Sequence, residues 1–287
     1  MRIAHLIMIH KDPNQTIRLI KRLQHPNADF YIHVDAKSNI EDFKDVVFAD
    51  QITFINNRIN CNWGGNSLLI GIATALHEVT AQNKGYDFIN LLSAQDYPLK
   101  SSEELHQYFS EHIGQNFVSY EAADSFWWKK AKRRYEKYHF TDFNFPGKYF
   151  VERMANKFLP TRKFPLPIEL YGGCKSTWWT ISEACAKYIT EQLRNDDKLQ
   201  NFIKYCWGTD EFILTTLIMN SPFATMTIGD NMRYINWSEG KAHPKLLDNT
   251  DFETMKNSQM LFARKFEMDA SILDRIDTEL LGYSTPG

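Results

Sequence analysis

Residues Ile3–Ile9 are apolar except for His5, and the run closes at His10-Lys11-Asp12-Pro13. A short apolar run ended by turn residues reads as a buried strand. Thr16–Leu23 spaces Leu19, Ile20 and Leu23 among basic residues, the pattern of an amphipathic helix. Phe30–Asp35 reads as a second strand and Gln51–Ile55 as a third. Asn62–Ser67 is a turn that launches a helix from about Leu68 to Thr80. Tyr86–Leu92 is a further strand, broken by Ser93-Ala94-Gln95-Asp96-Tyr97-Pro98. Strands alternating with helices predict an α/β fold with a Rossmann-like, mainly parallel central sheet and ligands at the carboxyl ends of its strands. Those ends carry His10, Asp35 and Asp96.

The pattern changes after about Phe117. Residues 117–170 are dense in aromatic and basic side chains, as in Phe126-Trp127-Trp128-Lys129-Lys130 and Arg133-Arg134-Tyr135, and then pass through Pro160, Pro165 and Pro167. Gly172–Ser182 turns into a strand and a helix, and Tyr205–Glu211 opens an amphipathic helix through Phe212, Leu214 and Leu217. One unit over 1–287 is expected, with a nucleotide-binding half (1–115) and an acceptor and catalytic half (116–287) sharing a core.

Composition narrows the ligand. A net charge of −2 offers no bulk attraction to nucleic acid. Aromatics at 14% fit a large core, and equally fit rings that stack on sugars or bases. Cys61, Cys174, Cys185 and Cys206 form no CxxC pair and have no histidine cluster, so free, mostly buried thiols are expected rather than a zinc site. The apolar N-terminal stretch is too short for a signal peptide, and no run approaches the roughly 20 apolar residues of a membrane span. A cytosolic chain is expected, or a catalytic domain cut from something longer. Peripheral contact at the inner face of a membrane is left open.

There is no GxGxxG, GxxxxGK[ST] or GxSxG motif, and no Asp-x-Asp pair to hold a divalent metal against a diphosphate. Asp196-Asp197 reads as solvated surface. The charge of a nucleotide diphosphate would therefore fall to cations, and Arg233, Lys241, Arg264 and Lys265 are the candidates. A surface basic pair would give the same pattern at 264–265. Glu211 follows Asp210 at a predicted helix start, where the helix dipole alone favours acids by about 0.3–1 kcal/mol. A carboxylate there could also act as a general base, provided it faces a cleft. Trp127, Trp128, Lys130 and Arg133 could line an acceptor groove. Helical spacing puts Lys130 and Arg134 on one face, which an ordinary solvated helix would also do.

Several segments together resemble glycosyltransferase family 14, the core-2/I-branching N-acetylglucosaminyltransferases and peptide O-xylosyltransferases. They are Tyr31–Lys37, Phe88–Lys100, Gly173–Ser182, Thr209-Asp210-Glu211-Phe212 and Leu261–Phe266, in the family's order. The resemblance implies a GT-A-type fold, an inverting single displacement from a UDP-sugar to an acceptor glycan, and no metal or other cofactor. It places the catalytic base on Glu211, the diphosphate-binding lysine on Lys265 and, by a looser match, an arginine on Arg233. His33, Asp35 and Lys37 would lie by the nucleotide with His10, and Trp63 and Asp96 toward the donor. Lys130, Arg133, Trp128, Trp178, Asp210 and Glu121 would serve the acceptor. Animal members of the family carry a membrane anchor and disulfides that this sequence lacks, so a compact bacterial-type relative in surface-polysaccharide synthesis is expected. The competing readings are a binding protein that keeps the fold without catalysis, and a hydrolase with a second carboxylate facing Glu211.

Overall fold

Side chains alternate across a strand, so a sheet covered on both faces needs apolar residues at nearly every position. The first strand, β1 (Ile3–Ile9), meets this: all seven residues are buried. Ile3, Ile7 and Ile9 enter one core cluster, and Ala4, Leu6 and Met8 enter the other. The structure, a computed structural model, describes residues 1–267 and 271–283.

After β1 come α1 (Pro13–Leu23), with proline in its first turn, then β2 (Ala28–Val34) and β3 (Ile52–Phe54). The chain continues through α2 (Asn66–Ala81), β4 (Phe88–Ser93), β5 (Asp96–Pro98), α3 (Ser102–Ser110) and β6 (Asn116–Phe117). Ser101 and Glu104 form a reciprocal capping box that starts α3. Three helices follow, α4 (Phe126–Ala131), α5 (Arg133–Glu136) and α6 (Lys148–Phe158), and then β7 (Thr180–Ser182), α7 (Glu183–Asn195), α8 (Asp197–Ile203) and α9 (Ile213–Met219). The last elements are β8 (Thr227–Ile228), β9 (Arg233–Ile235), α10 (Phe252–Lys256), β10 (Phe262–Arg264) and α11 (Ser271–Glu279).

The main sheet has seven strands in the order β3-β2-β1-β4-β7-β6-β8. Its first four strands are mutually parallel, β7 is antiparallel to both neighbours, and β6 and β8 are parallel. The α/β class and the Rossmann-like, mainly parallel sheet are as the sequence predicts. The boundary near residue 115 is not visible in the sheet: β7, β6 and β8 extend it directly from β4, and both core clusters draw on both halves. A second sheet, β5-β10-β9, brings a segment from residue 96 together with two from beyond 230. Asp196, expected as plain surface, accepts from Leu199 N at 2.8 Å and caps α8.

The chain end is latched onto this frame by one carboxylate. Asp277 of α11 accepts from Arg18 and Arg22 of α1 at 2.7–2.8 Å and from the Tyr97 hydroxyl of β5 at 2.7 Å. Burial pushes its pKa up, but the hydrogen bonds from Arg22, Tyr97 and Arg18 outweigh this and hold it below the usual aspartate value. A carboxyl with a depressed folded pKa stabilises above its unfolded pKa, and that contribution is lost as pH falls through the folded one. Asp277→Ala should therefore cost about 2 kcal/mol at neutral pH, the partly exposed arginines softening the loss. The gap between variant and wild type should close as pH falls below about 4 in urea melts. A gap independent of pH would refute the latch.

Candidate active site

Parallel strands deliver their ends to one edge of a sheet. Here the ends of β1, β2 and β4 open onto a cleft of about 500 Å³, within the usual range for a small-molecule site. His10 and Lys11 follow β1, His33, Asp35 and Lys37 come from the end of β2, and Ser93 closes β4. Arg264 and Lys265 arrive at the end of β10. The later part of the chain contributes Cys174, Thr177, Trp178, Asp210, Glu211 and Trp237 to the same walls.

Glu211 sits in a single 3-10 turn, Thr209–Glu211, set off from α9 by Phe212. It is therefore not in the first turn of the helix, and the helix-dipole explanation for an acid here loses its ground. Its Oε2 accepts from Arg134 at 2.6 Å, and its side chain is 21% exposed. Burial raises its pKa to about 7; Arg134 opposes the rise and Asp210 adds to it. Asp210, itself buried and raised for the same reason, accepts from the Thr177 hydroxyl at 2.8 Å.

Arg134 is held by aromatic rings. Its guanidinium carbon lies 4.5 Å from the Trp207 ring centroid and 5.1 Å from that of Trp127. Two glycines make room for this. Gly208 has φ +61, and a Cβ there would meet Arg134 Nη1 at 2.7 Å. Gly64 has φ +71, and a Cβ would meet Trp207 Nε1 at 2.4 Å. Trp63, 66% exposed, stands edge-on to Trp207 at 5.3 Å at the mouth of the cleft. The loop bearing it is pinned by Asp142, which accepts from Asn62, from Ser67 N and from the Ser67 hydroxyl.

At the strand ends, Asp35 accepts from Lys37 N at 2.8 Å and Cys61 N at 3.2 Å, while Lys37 Nζ donates to Cys61 O at 2.6 Å. His33 is buried, and its Nε2 accepts from Ile59 N at 3.0 Å, which fixes a neutral ring. Burial lowers its pKa and that of His10. Lys265 is lowered chiefly by burial, with Arg264 and Lys11 adding to the effect.

Several expected site residues lie elsewhere. Arg233 is 2% exposed and does not line the cleft. It donates to Asn90 Oδ1 and to the carbonyls of Leu91, Trp179 and Asn231, and so bolts β9 of the small sheet to β4 and β7 of the large one. The arginine in the cleft is Arg264. It is 8% exposed, with its guanidinium carbon 4.3 Å from the Trp178 ring and its Nε 3.7 Å from Asp96 Oδ1. Neither of those last two atoms has a hydrogen-bond partner among the described residues. Asp96 is fully buried behind Arg264, off the cleft lining, and accepts from Ser93 N at 2.7 Å. Trp128 is a core residue packed edge-on to Phe212, because it takes the inward face of α4. Lys130 and Arg133 are exposed and off the cleft lining. The helix expected to carry Lys130 and Arg134 on one face is divided at Lys132 into α4 and α5; Lys130 lies over the Phe126 ring, and Arg134 reaches Glu211. Glu121 pairs its backbone with Gly172 and packs against Gly173 beside the cleft lining. His10, His33, Asp35, Lys37, Trp63, Trp178, Asp210, Glu211 and Lys265 all line the cleft.

A family model described as Core-2/I-Branching enzyme matches residues 3–260. The chain belongs to that family. Among curated members it is 27% identical to a xylosyltransferase of Ciona intestinalis over 312 residues, covering 100% of this chain and 35% of that protein. It is 26% identical to xylosyltransferase 2 of Canis lupus familiaris, covering 34% of it. It is also 26% identical to the beta-glucuronosyltransferase GlcAT14B of Arabidopsis thaliana, covering 68% of it. The chain thus spans about a third of the length of the xylosyltransferases it matches. A solved structure of mouse xyloside xylosyltransferase 1, apo form, aligns with 91% of this chain and 97% of that one at 11% identity and a TM-score of 0.39. Within this Core-2/I-branching member, Arg134 and Arg264 are the site residues that the sequence reading missed or left undecided. Arg134 lay inside the basic stretch, but Lys130 and Arg133 were its site candidates, and Arg264 was among four candidate cations.

The placements of Arg233 and Lys265 separate cleanly by experiment. Arg233→Met should lower stability by about 3 kcal/mol, because buried acceptors lose their donor. Lys265→Met should leave the melting temperature nearly unchanged and weaken stabilisation by inorganic pyrophosphate at least tenfold, the scale of one charged hydrogen bond. The reverse pattern in thermal melts would restore Arg233 to the anion site.

Proposed function

We propose that this protein is an inverting glycosyltransferase that moves a sugar, GlcNAc or xylose, from a UDP-sugar to a hydroxyl of an acceptor glycan without a metal. The observation that carries the reading is one cleft holding both a largely buried carboxylate, Glu211, with one oxygen left open by Arg134, and a pair of cations, Arg264 and Lys265, that no protein group hydrogen-bonds among the described residues. Family membership and the names of the relatives support glycosyl transfer in general.

In this reading Glu211 accepts the proton of the attacking hydroxyl through Oε1, since Arg134 occupies Oε2. The new oxygen–carbon bond forms at the anomeric carbon opposite the leaving diphosphate, and the bond to phosphate oxygen breaks with UDP taking the electron pair. An α-linked donor then gives a β-linkage. The transition state resembles the oxocarbenium ion of glycoside hydrolysis. Lys265 and Arg264 stabilise the charge that grows on the leaving group. Metal independence rests on this cation pair. Among the described residues, no group of three or more His, Cys, Asp or Glu side chains is arranged as a metal site. The strand-end residues His33, Asp35 and Lys37 are assigned to the nucleotide, and Trp178 and Asp210 to the acceptor side.

Glu211→Gln should lower turnover of UDP-GlcNAc or UDP-xylose by about 10²–10⁴-fold and preserve stabilisation by UDP. The base works only when ionised, so the wild-type rate should rise with pH through about 7. Arg134→Gln removes the group that opposes the upward shift, so it should move that acid limb to higher pH. Near-wild-type turnover in Glu211→Gln, or a limb that ignores Arg134, would remove Glu211 from the role of base.

A further inference from the structure

A surface helix normally turns its apolar stripe inward and its charges to water. α6 does the reverse. Its polar stripe faces the protein: Lys148 Nζ donates to Phe143 O at 3.0 Å, Glu152 accepts from Phe140 N at 2.7 Å, and Asn156 bonds both backbone groups of Tyr138 at 2.8 Å. Its outer side carries large apolar side chains beside Arg153 and Lys157, with Tyr149 68%, Phe150 59%, Val151 44% and Phe158 72% exposed, and Leu159 just beyond at 50%. None of its eleven residues is buried. A helix held by polar bonds with its rings in water leaves a large apolar face to be covered.

The charge around that face says what covers it. The segment that carries α6, residues 126–163, holds eleven Lys and Arg against three carboxylates; Arg134, Lys148 and Arg162 turn their charges to Glu211 and to backbone carbonyls. Among the described residues, Arg134 alone of those eleven forms an ion pair. On α6 the two exposed Phe rings each carry an exposed cation: Arg153 lies 5.8 Å from the Phe150 centroid and Lys157 5.3 Å from that of Phe158. Rings interleaved with long basic side chains suit a bilayer interface, where the rings enter the acyl boundary and the cations stay among the phosphates. A second copy of the same face is disfavoured, because like charges would meet.

We propose that α6 docks the protein on anionic lipid bilayers, with Phe150 and Phe158 as the inserting anchors and Arg153 and Lys157 at the headgroups. This leaves Glu211 and the cleft outside the docking surface, so the inference stands or falls apart from the catalytic reading.

The test is co-sedimentation of the full chain with phosphatidylcholine vesicles, with and without phosphatidylglycerol. Wild type should partition onto the vesicles containing phosphatidylglycerol and stay in solution with phosphatidylcholine alone. Phe150→Ser/Phe158→Ser should weaken partitioning by about a hundredfold, from the transfer of two rings. Arg153→Gln/Lys157→Gln should weaken it by roughly thirtyfold, at about one surface cation each. Both pairs are exposed, so unchanged melting curves are expected to show that the variants fold. Wild type that remains in solution with both vesicles overturns the proposal, as does binding that ignores both double variants. Wild type that dimerises through Phe150 and Phe158 without binding vesicles would assign the face to a second copy and overturn it equally.

Discussion

A carboxylate held four-fifths out of water needs a cation against it, and the contact between Arg134 and Glu211 at 2.6 Å meets that need here. Much of the local architecture follows from this pair. Trp127 and Trp207 hold the Arg134 guanidinium. Two left-handed glycines, Gly64 and Gly208, keep side chains out of the space the pair and its rings require. The pair also sets the chemistry. Without the arginine, burial would drive the Glu211 pKa higher still; with it, the group titrates near neutrality, where a base can be both ionised and basic.

The sheet supplies the opposite requirement, a place for negative charge. Strands running parallel must finish at a common edge, and β1, β2 and β4 do so beside the end of β10. That last strand presents a buried arginine and a half-buried lysine in succession. Behind them Asp96 balances part of the charge without reaching the cleft, and Trp178 covers the Arg264 face. The cleft thus keeps its carboxylate and its cations on different elements, the separation that the proposed transfer from a diphosphate donor requires.

The parts of the structure written in local pattern were legible beforehand. β1 was read with its observed bounds because an apolar run closed by Asp-Pro has few alternatives, and the parallel sheet followed from the alternation of elements. Of the residues expected at strand ends, His10 and Asp35 line the cleft and Asp96 does not; Lys37 and Lys265 came from the family resemblance. The failures lie where tertiary contacts decide. Nothing local distinguishes Arg233 from Arg264; burial among the carbonyls of β4 and β7 makes the first a structural bolt, and only the meeting of two sheets reveals it. Arg134 was hidden because its partners, Glu211 and Trp207, lie far along the chain, beyond the reach of helical spacing. Trp128 looked like a sugar platform by type, and its position on the inward face of α4 makes it core.

The most direct test of the account is thermal stabilisation of the protein by UDP and by a panel of UDP-sugars, each with EDTA and with excess manganese. A ligand bound only by the folded state raises the melting temperature with its affinity and concentration. The account predicts that UDP and one UDP-sugar raise it, by the same amount with and without the metal. No shift from any uridine nucleotide, or a shift that appears only with manganese, would contradict the assignment of the diphosphate to Arg264 and Lys265.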